Sequence, residues 1–294
     1  MSSADAVLHR SGLYAPGSSP RMLRKALAAG ADAVILDLED AVAPGEKPAA
    51  RGHVAELLDE VAATPVAPDV HVRVNRSGDG WDTDDLAAVV RPGLDGLRLP
   101  KAETPEALTE VAALIDRLER DAGLPVGAIP LIPIIESAVG AVAITALATA
   151  TDRVTRLSLG GADLLADLGG VGDDDLTTLH VRGELVLRSR AAGLAPPIDT
   201  VHTNLDDEEG LRAATRRARA LGFYGKSLIH PKQIAPVHEV FTPSEDDVAW
   251  AERIVAAAAA AEAEGRGAVA IDGDFVDAPI VQRAETILAL WRQR

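Results

Sequence analysis

The feature that most constrains this chain is an alternation, repeated eight times, between a short apolar run and a stretch of helical composition. The runs have the length of buried β-strands, and signals for helix ends, such as Ser19-Pro20 and Gly30, lie between them. They span residues 10–16, 33–36, 70–75, 94–99, 130–135, 156–159, 196–201 and 223–229. Because short loops join these units, the pattern predicts an α/β fold, a (β/α)8 barrel (TIM barrel), over residues 1–240. A doubly wound nucleotide-binding sheet is the weaker alternative, since neither a Walker loop nor a G-x-G-x-x-G sequence follows a strand.

Residues 241–294 have a different pattern and are predicted to form a C-terminal helical extension. A capping sequence at 242–245 begins a helix that runs through an alanine-rich stretch to Glu264. Residues 269–276 are typical of a hairpin with an Asp-Gly turn, and Asp277 then leads into a last helix. The extension is too small to be stable alone, so we expect it to pack on the barrel or on a neighbouring subunit.

The charge balance argues against several classes of partner. With 29 basic and 45 acidic residues the net charge is −16, which disfavours nucleic acid and anionic membranes. The absence of cysteine excludes a disulfide framework, a thiol nucleophile and a Cys-ligated zinc site. Between residues 121 and 152 the only charge is Glu136, but Pro130, Pro133 and this lone acid argue against a membrane span. Since the N-terminus also lacks the pattern of a signal peptide, we expect a cytoplasmic protein.

Two acids follow apolar runs that are neighbours in the predicted sheet. Glu136 and Asp163 are 27 residues apart (163 − 136), about the length of one strand–helix–strand unit. In a parallel sheet this spacing places both carboxylates at the same end of adjacent strands, roughly 5 Å apart. Acids held this close share either a proton or a cation, and we favour Mg2+, which takes one or two carboxylates together with water and substrate oxygens. A proton-sharing pair, or a salt-bridge network with Arg73 or Lys101, is the alternative.

Polar residues stand at the ends of most predicted strands, where the active sites of such barrels lie. The candidates are Asp37, Glu39, Asp40, Arg73, Asn75, Lys101, Glu136, Asp163, Lys226 and His230. The three acids between residues 37 and 40 would repel one another unless cations or amides meet them. Strict alternation in residues 70–75 turns Arg73 inward, where its planar fork suits a substrate carboxylate.

Many of these residues also belong to motifs that resemble a known family. The motifs are Arg10-Ser11-Gly12-Leu13-Tyr14-Ala15-Pro16, Asp37-Leu38-Glu39-Asp40, Val72-Arg73-Val74-Asn75, Leu99-Pro100-Lys101, Ile135-Glu136-Ser137, Gly161-Ala162-Asp163-Leu164, Lys226-Ser227-Leu228-Ile229-His230-Pro231 and Asp272-Gly273-Asp274-Phe275-Val276-Asp277. They cover nearly the whole chain, and their collective spacing is highly specific. On these residues the chain resembles the citrate lyase β-subunit-like proteins of the HpcH/HpaI aldolase/citrate lyase family.

The resemblance implies a Mg2+-dependent carbon–carbon lyase that cleaves a citryl-, malyl- or citramalyl-CoA into an acyl-CoA and a 2-oxo acid (oxaloacetate, glyoxylate or pyruvate). It implies that Glu136 and Asp163 hold the metal, with Glu136 also at the substrate, and that Arg73 binds the carboxylate of the 2-oxo acid. Arg21 and Lys25 would bind the CoA phosphates. In a homotrimer or hexamer, Asp277 on a C-terminal lid would reach a neighbour's active site as an acid/base.

The resemblance leaves other functions open. They are a β subunit of a citrate lyase complex acting on an acyl-carrier-protein thioester, a malyl-CoA thioesterase, and a non-catalytic CoA-binding relative. The complete C-terminal lid favours a self-sufficient enzyme. Two departures from the family pattern bear on substrate identity more than on metal binding: Leu164 stands where an aromatic residue is usual, and Arg98 where an aliphatic one is. Arg98 is expected either to add a contact or to point outward.

Overall fold

The computed structural model describes residues 9–64, 68–171, 174–263, 269–271 and 274–292. The chain divides into two compact units, one ending at His238 and the other beginning at Glu239. The predicted boundary after residue 240 lies two residues beyond this division (240 − 238).

The first unit alternates strands and helices. Its strands are β1 (Ser11–Pro16), β2 (Ala33–Asp37), β3 (Asp69–Arg73), β4 (Arg76–Ser77), β5 (Gly80–Trp81), β6 (Gly96–Leu99), β7 (Leu131–Ile135), β8 (Ser158–Leu159) and β9 (Lys226–Leu228). Its helices are α1 (Pro20–Leu27), α2 (Lys47–Ala63), α3 (Thr83–Val89), α4 (Pro105–Asp121), α5 (Ala138–Ala148), α6 (Gly161–Asp167), α7 (Asp174–Ala191) and α8 (Glu208–Leu221), with 3-10 turns at Pro44–Glu46 and Pro231–Gln233. Helix α9 (Ile234–Phe241) crosses the division. The predicted cap at Ser19 is confirmed, because its side chain accepts a hydrogen bond from the first turn of α1, and Thr104 caps α4 in the same way.

Seven of these strands form one parallel sheet, in the order β8-β7-β6-β3-β2-β1-β9. Its two outer strands are joined through residues 198 and 199: Ile198 bridges Ser158 of β8, and Asp199 bridges Lys226 of β9. Eight chain segments thus close into a barrel, which confirms the predicted (β/α)8 fold. The strand predicted at 196–201 is reduced to two bridging residues, because Pro196 and Pro197 have no N–H to donate.

The two faces of the strands differ in polarity. Val70 and Val72 of β3 are fully buried, whereas the intervening His71 faces the barrel interior, where an ideal Cβ on Gly96 would lie 3.0 Å from its Cδ2. Arg98 also points inward, since a Cβ on Gly12 of β1 would lie 3.6 Å from its Nη2. The alternative of an outward-pointing Arg98 is therefore wrong.

A buried ion group lies where the barrel closes. Asp199 forms ion pairs with Lys226 of β9 and Arg182 of α7, and all three side chains are buried. Burial alone would raise the pKa of Asp199, but Lys226 and Arg182 outweigh it and hold that pKa below its usual value. Lys226, which was grouped with the strand-end candidates, is the first residue of β9, and its charge is used to close the barrel.

The second unit is a helical pair with a hairpin. Its elements after α9 are α10 (Glu245–Ala263), β10 (Val269–Ile271), β11 (Asp274–Val276) and α11 (Ala278–Arg292). The two strands pair antiparallel, which confirms the predicted hairpin, although its turn lies outside the described residues. Helices α10 and α11 bury a small apolar cluster that includes Ile254, Val276 and Ala284. No helix in the described part of the chain is long and apolar enough to cross a membrane.

Asp199→Asn is expected to destabilise the first unit by about 3–5 kcal/mol, because it leaves Lys226 buried without its anion. Urea unfolding followed by circular dichroism measures the change. Glu184→Gln is the control, since it breaks an exposed pair with Arg188 on α7 that contributes about 0.5 kcal/mol or less. Equal effects of the two substitutions would contradict the role given to Asp199 in closing the barrel.

Candidate active site

Arg73 joins the ends of β2 and β3. Its Nε and Nη2 donate to Asp37 Oδ1 and Oδ2 at 2.8 and 2.7 Å, the bidentate geometry that fixes a guanidinium most firmly. Its Nη1 lies 2.9 Å from Glu39 Oε2 and donates to Asp40 Oδ2 at 3.1 Å. The guanidinium also lies over the ring of Tyr14 on β1, 5.0 Å from its centroid. The expectation that cations meet the three acids after β2 is therefore confirmed.

The contacts of Arg73 differ in how readily a ligand could replace them. Asp37 is buried, and its carboxylate also accepts hydrogen bonds from the backbone N–H groups of Glu39 and Ala41. Asp40 is 61% exposed and meets Arg73 only through Nη1. A carboxylate from solution can thus replace Asp40 at Nη1, while Asp37 keeps the guanidinium in place.

Lys101, which follows β6, contacts two of the acids. It is the one described non-glycine residue with a positive φ, 51°, a conformation that costs about 1–2 kcal/mol. Its Nζ donates to Glu39 Oε1 at 3.1 Å, and its backbone N–H donates to Glu136 Oε1 at 2.8 Å. The strained backbone thus directs an amide at Glu136 while the side chain holds Glu39.

Glu136 follows β7 directly and is 5% exposed. Burial, followed by the charges of Glu39 and Asp163, raises the pKa of Glu136 to about 8. The carboxyl group lies against Gly160, where an ideal Cβ would be 2.3 Å from Glu136 Oε2 and 2.5 Å from its Cβ. Gly160 is therefore required for Glu136 to occupy this position.

Asp163 does not end a strand as predicted. It lies in the first turn of α6, four residues after the end of β8 (163 − 159), because the helix begins at Gly161 directly after that short strand. It is exposed, yet near enough to Glu136 to contribute to the raised pKa of that residue.

The acids at this end of the barrel fit a hard divalent cation. Glu39 Oε2 is buried beside the Arg73 guanidinium, 2.9 Å from Nη1, and the negative charges of Glu39 and Asp163 destabilise ionised Glu136. A Mg2+ ion on Glu136 and Asp163 would relieve that repulsion, with water and substrate completing its coordination. Within the described ranges, three potential ligand atoms lie within 4.8 Å of one another only at His9, Asp69 and His71, which belong to the opposite end of the barrel.

The remaining candidates have structural contacts or belong to the second unit. Asn75 is buried and bonded to Asp85 and to the backbone of Leu38. His230 caps the following 3-10 turn in a capping box with Gln233. Asp277 immediately precedes α11 in the second unit, and its carbonyl accepts a hydrogen bond from Val281 in the first turn.

Arg21 and Lys25 are exposed on α1, and neither forms an ion pair with any described residue. Arg24 between them is paired with Glu60 of α2. The two residues predicted to contact phosphate, Arg21 and Lys25, are thus available to an anionic ligand.

Sequence reasoning missed three residues that shape the site. Tyr14 packs under Arg73, Gly160 makes room for Glu136, and Lys47 of α2 donates to Asn75 and to the carbonyl oxygens of Leu38 and Glu39. The paired glycines at 160 and 161 were a usable signal, since two glycines after a strand often mark a close approach of other groups.

Residues 10–231 match the model of the HpcH/HpaI aldolase/citrate lyase family. The chain is 38% identical over 284 residues to the citrate lyase subunit beta of Leuconostoc mesenteroides subsp. cremoris, covering 96% of this chain and 93% of that protein. It is 35% identical over 305 residues to an L-malyl-CoA/beta-methylmalyl-CoA lyase of Cereibacter sphaeroides, covering 95% and 93%. It is also similar to the crystal structure of CitE from Mycobacterium tuberculosis in complex with magnesium, acetoacetate and coenzyme A, with a TM-score of 0.75, 33% identity, and 98% and 99% of the two chains covered.

Gly160→Ala is expected to weaken Mg2+ binding at least about tenfold, because the new methyl group occupies the space of the Glu136 side chain. Thermal unfolding followed over a Mg2+ titration measures the binding. Gly52→Ala on α2 is the control, since its Cβ meets nothing within 4 Å and an alanine favours the helix. Unchanged Mg2+ binding by Gly160→Ala would refute the link between this glycine and the metal.

Proposed function

The chain belongs to the HpcH/HpaI aldolase/citrate lyase family, and we propose that it is a Mg2+-dependent carbon–carbon lyase acting on a β-hydroxyacyl-CoA. Its products are an acyl-CoA and a 2-oxo acid such as oxaloacetate, glyoxylate or pyruvate. The observation that carries the proposal is the position of Arg73. Asp37 holds its guanidinium in place, while Nη1 faces the exposed Asp40 and lies close to the acids Glu39 and Glu136. The CitE structure with magnesium and coenzyme A supports the same cofactor and ligand class.

Each protein group has one task in this reaction. Arg73 binds the carboxylate of the departing 2-oxo acid and thereby aligns the bond that breaks. Glu136 and Asp163 hold Mg2+, which when bound supplies Lewis-acid polarisation of the carbonyl that forms. Asp277 accepts the proton of the β-hydroxyl group as the carbonyl of the 2-oxo acid forms. Cleavage of the C–C bond leaves its electron pair on the thioester fragment as an enolate, and Asp277 returns the proton to the enolate carbon.

Outside the reacting centre, Arg21 and Lys25 are proposed to bind the phosphates of CoA. Both are exposed on α1, whose N-terminus follows β1 at the active end of the barrel. Their positive charge attracts an anionic ligand locally to a chain whose net charge of −16 otherwise repels it. Because CoA thioesters are cytoplasmic metabolites, we also place the protein in the cytoplasm.

The proposed assembly is a homotrimer or hexamer in which residues 241–294 form a lid over a neighbour's site. Apolar side chains exposed on α5 and α7 support an association of chains; they are Val139, Val142, Leu176, Leu179 and Leu187. Because a neighbouring copy of the same chain supplies the acid Asp277, this enzyme would need no partner protein to complete its active site.

A second candidate function is that of a β subunit in a citrate lyase complex, acting on an acyl-carrier-protein thioester. It is favoured by the similarity to the Leuconostoc citrate lyase subunit beta. Activity on carrier-protein thioesters, with none on the matching CoA esters, would select it over the first proposal.

Glu136→Gln is expected to lower lyase activity at least about 100-fold without unfolding the barrel, because it removes a charged metal ligand. The assay incubates the protein with Mg2+ and citryl-, malyl- or citramalyl-CoA, and measures the 2-oxo acid and free CoA. Glu110→Gln, on the exposed face of α4, is the control and is expected to keep full activity.

Two results of this assay would oppose the proposal. Unchanged turnover by Glu136→Gln would reject the metal assignment. Free CoA released by the unmodified protein without a 2-oxo acid would identify a thioesterase.

Coexpressed Glu136→Gln and Asp277→Asn chains are expected to recover up to about a third of full activity in mixed trimers. In a mixed trimer, one site in three combines an intact Glu136 with an intact Asp277 from the next chain. Mixed oligomers purified through two different affinity tags are assayed beside each inactive variant alone. No recovery would show that Asp277 does not act between subunits.

A further inference from the structure

A cavity of about 830 Å3 opens at the amino-terminal ends of the strands, opposite the candidate active site. Its lining includes Asp69, the first residue of β3, and Pro130, which precedes β7. His71 and Arg156 reach it from inside the barrel. The proposed lyase chemistry does not use any of these groups.

Two buried guanidinium groups near this cavity have no acidic partner in the part of the chain that the structure describes. Arg98 is 1% exposed and forms no ion pair with a described residue, and its Nη1 has no hydrogen-bond acceptor. Arg156 is also buried, and among the described residues it donates only to the carbonyl oxygens of Pro196 and Tyr224. Burial lowers the pKa of Arg98 to about 10, and burial together with the charge of Arg98 lowers that of Arg156 to about 9. Buried charges are costly unless an opposite charge meets them.

His71 connects Arg98 to the cavity and is a hydrogen-bond donor there. Its Nδ1 accepts from Arg98 Nε at 3.2 Å, so the neutral ring carries its proton on Nε2. Burial and the neighbouring positive charge hold the pKa of His71 well below its usual value, so the ring stays neutral. A proton on Nε2 suits an anion, whereas a metal ligand would need a free lone pair at this atom.

The acids that line the cavity do not neutralise these groups. Asp69 is 43% exposed and paired with His9, and Asp95 is exposed and accepts from the backbone of Val70. Arg153, also in the lining, is already paired with Asp116 and Glu119. The uncompensated charge therefore lies on the inner side of the cavity, at Arg98 and Arg156.

We propose that this cavity binds a small oxyanion of the phosphate class, which accepts a hydrogen bond from His71 and whose charge offsets those of Arg98 and Arg156. The volume of about 830 Å3 admits either inorganic phosphate or the phosphate group of a small metabolite. The site is separate from the proposed CoA contacts on α1, which lie at the other end of the barrel.

The test measures thermal unfolding of the full chain in inorganic phosphate, in glycerol phosphate, and in sodium chloride of equal ionic strength. At about ten times its dissociation constant, phosphate is expected to raise the Tm by about 3 °C beyond the chloride control. A larger rise in Tm with glycerol phosphate than with inorganic phosphate would identify a phosphate ester as the ligand. An equal rise with the two compounds would identify inorganic phosphate as the ligand.

In the absence of phosphate, Arg98→Met is expected to unfold at a higher temperature than the unmodified protein, because it removes an uncompensated buried charge. Arg98→Met is also expected to lose the rise in Tm that phosphate causes. Arg120→Met, an exposed residue of α4, is the matched control and is expected to keep it. His71→Phe tests the donor without changing the buried charges and is expected to weaken the response, which keeps the proposal testable if Arg98→Met fails to fold.

Three results would overturn the proposal. One is a phosphate effect no larger than that of chloride. Another is a phosphate response that survives in both Arg98→Met and His71→Phe, because the anion would then bind elsewhere. The last is a protein that Zn2+ stabilises and phosphate does not, with the Zn2+ effect lost in His71→Phe. This result would assign the cavity to a cation on His9, Asp69 and His71.

Discussion

The interior of this barrel depends on the pairing of buried charge. Three of the paired groups are Asp37 with Arg73, Asp199 with Lys226 and Arg182, and Glu119 with Arg153. They connect segments that lie far apart in the sequence, and their cost is offset because each charge meets its opposite in good geometry. Glu136 at one end of the barrel and Arg98 toward the other lack such compensation. The proposed metal and the proposed oxyanion would each supply the charge that is missing.

The candidate active site combines rigid and exchangeable parts. Asp37 holds Arg73 through two hydrogen bonds, so little side-chain freedom remains to be lost when a substrate carboxylate arrives. Asp40 can leave without disturbing that pair. Lys101 and Gly160 act on Glu136 from two sides, one through a strained backbone amide and the other by lacking a side chain. The geometry of the acids is thus set by residues that do no chemistry themselves.

The alternation of apolar runs and helices was enough to predict the barrel, because that pattern depends on local periodicity. The strand ends likewise predicted Arg73 and Glu136 as neighbours of other polar groups. Asp163 was placed wrongly because a two-residue strand passes directly into a helix at Gly161, which the periodicity of so short a run cannot resolve. Lys226 was misread for a different reason: its partner Asp199 is 27 residues away (226 − 199), and only closure of the barrel brings them together. Arg98 could not be assigned to a face of its strand before the register of β6 with β3 and β7 was known.

The closure of the barrel at residues 198 and 199 has a further consequence. The segment that follows the two prolines has bridged positions only at residues 198 and 199, a shorter ladder than the five paired positions that join β1 to β2. Amide protons along this seam are therefore expected to exchange with solvent through local openings that leave the rest of the barrel folded. The ion group at Asp199 lies at this seam, where its side-chain contacts add to the short backbone ladders that close the barrel.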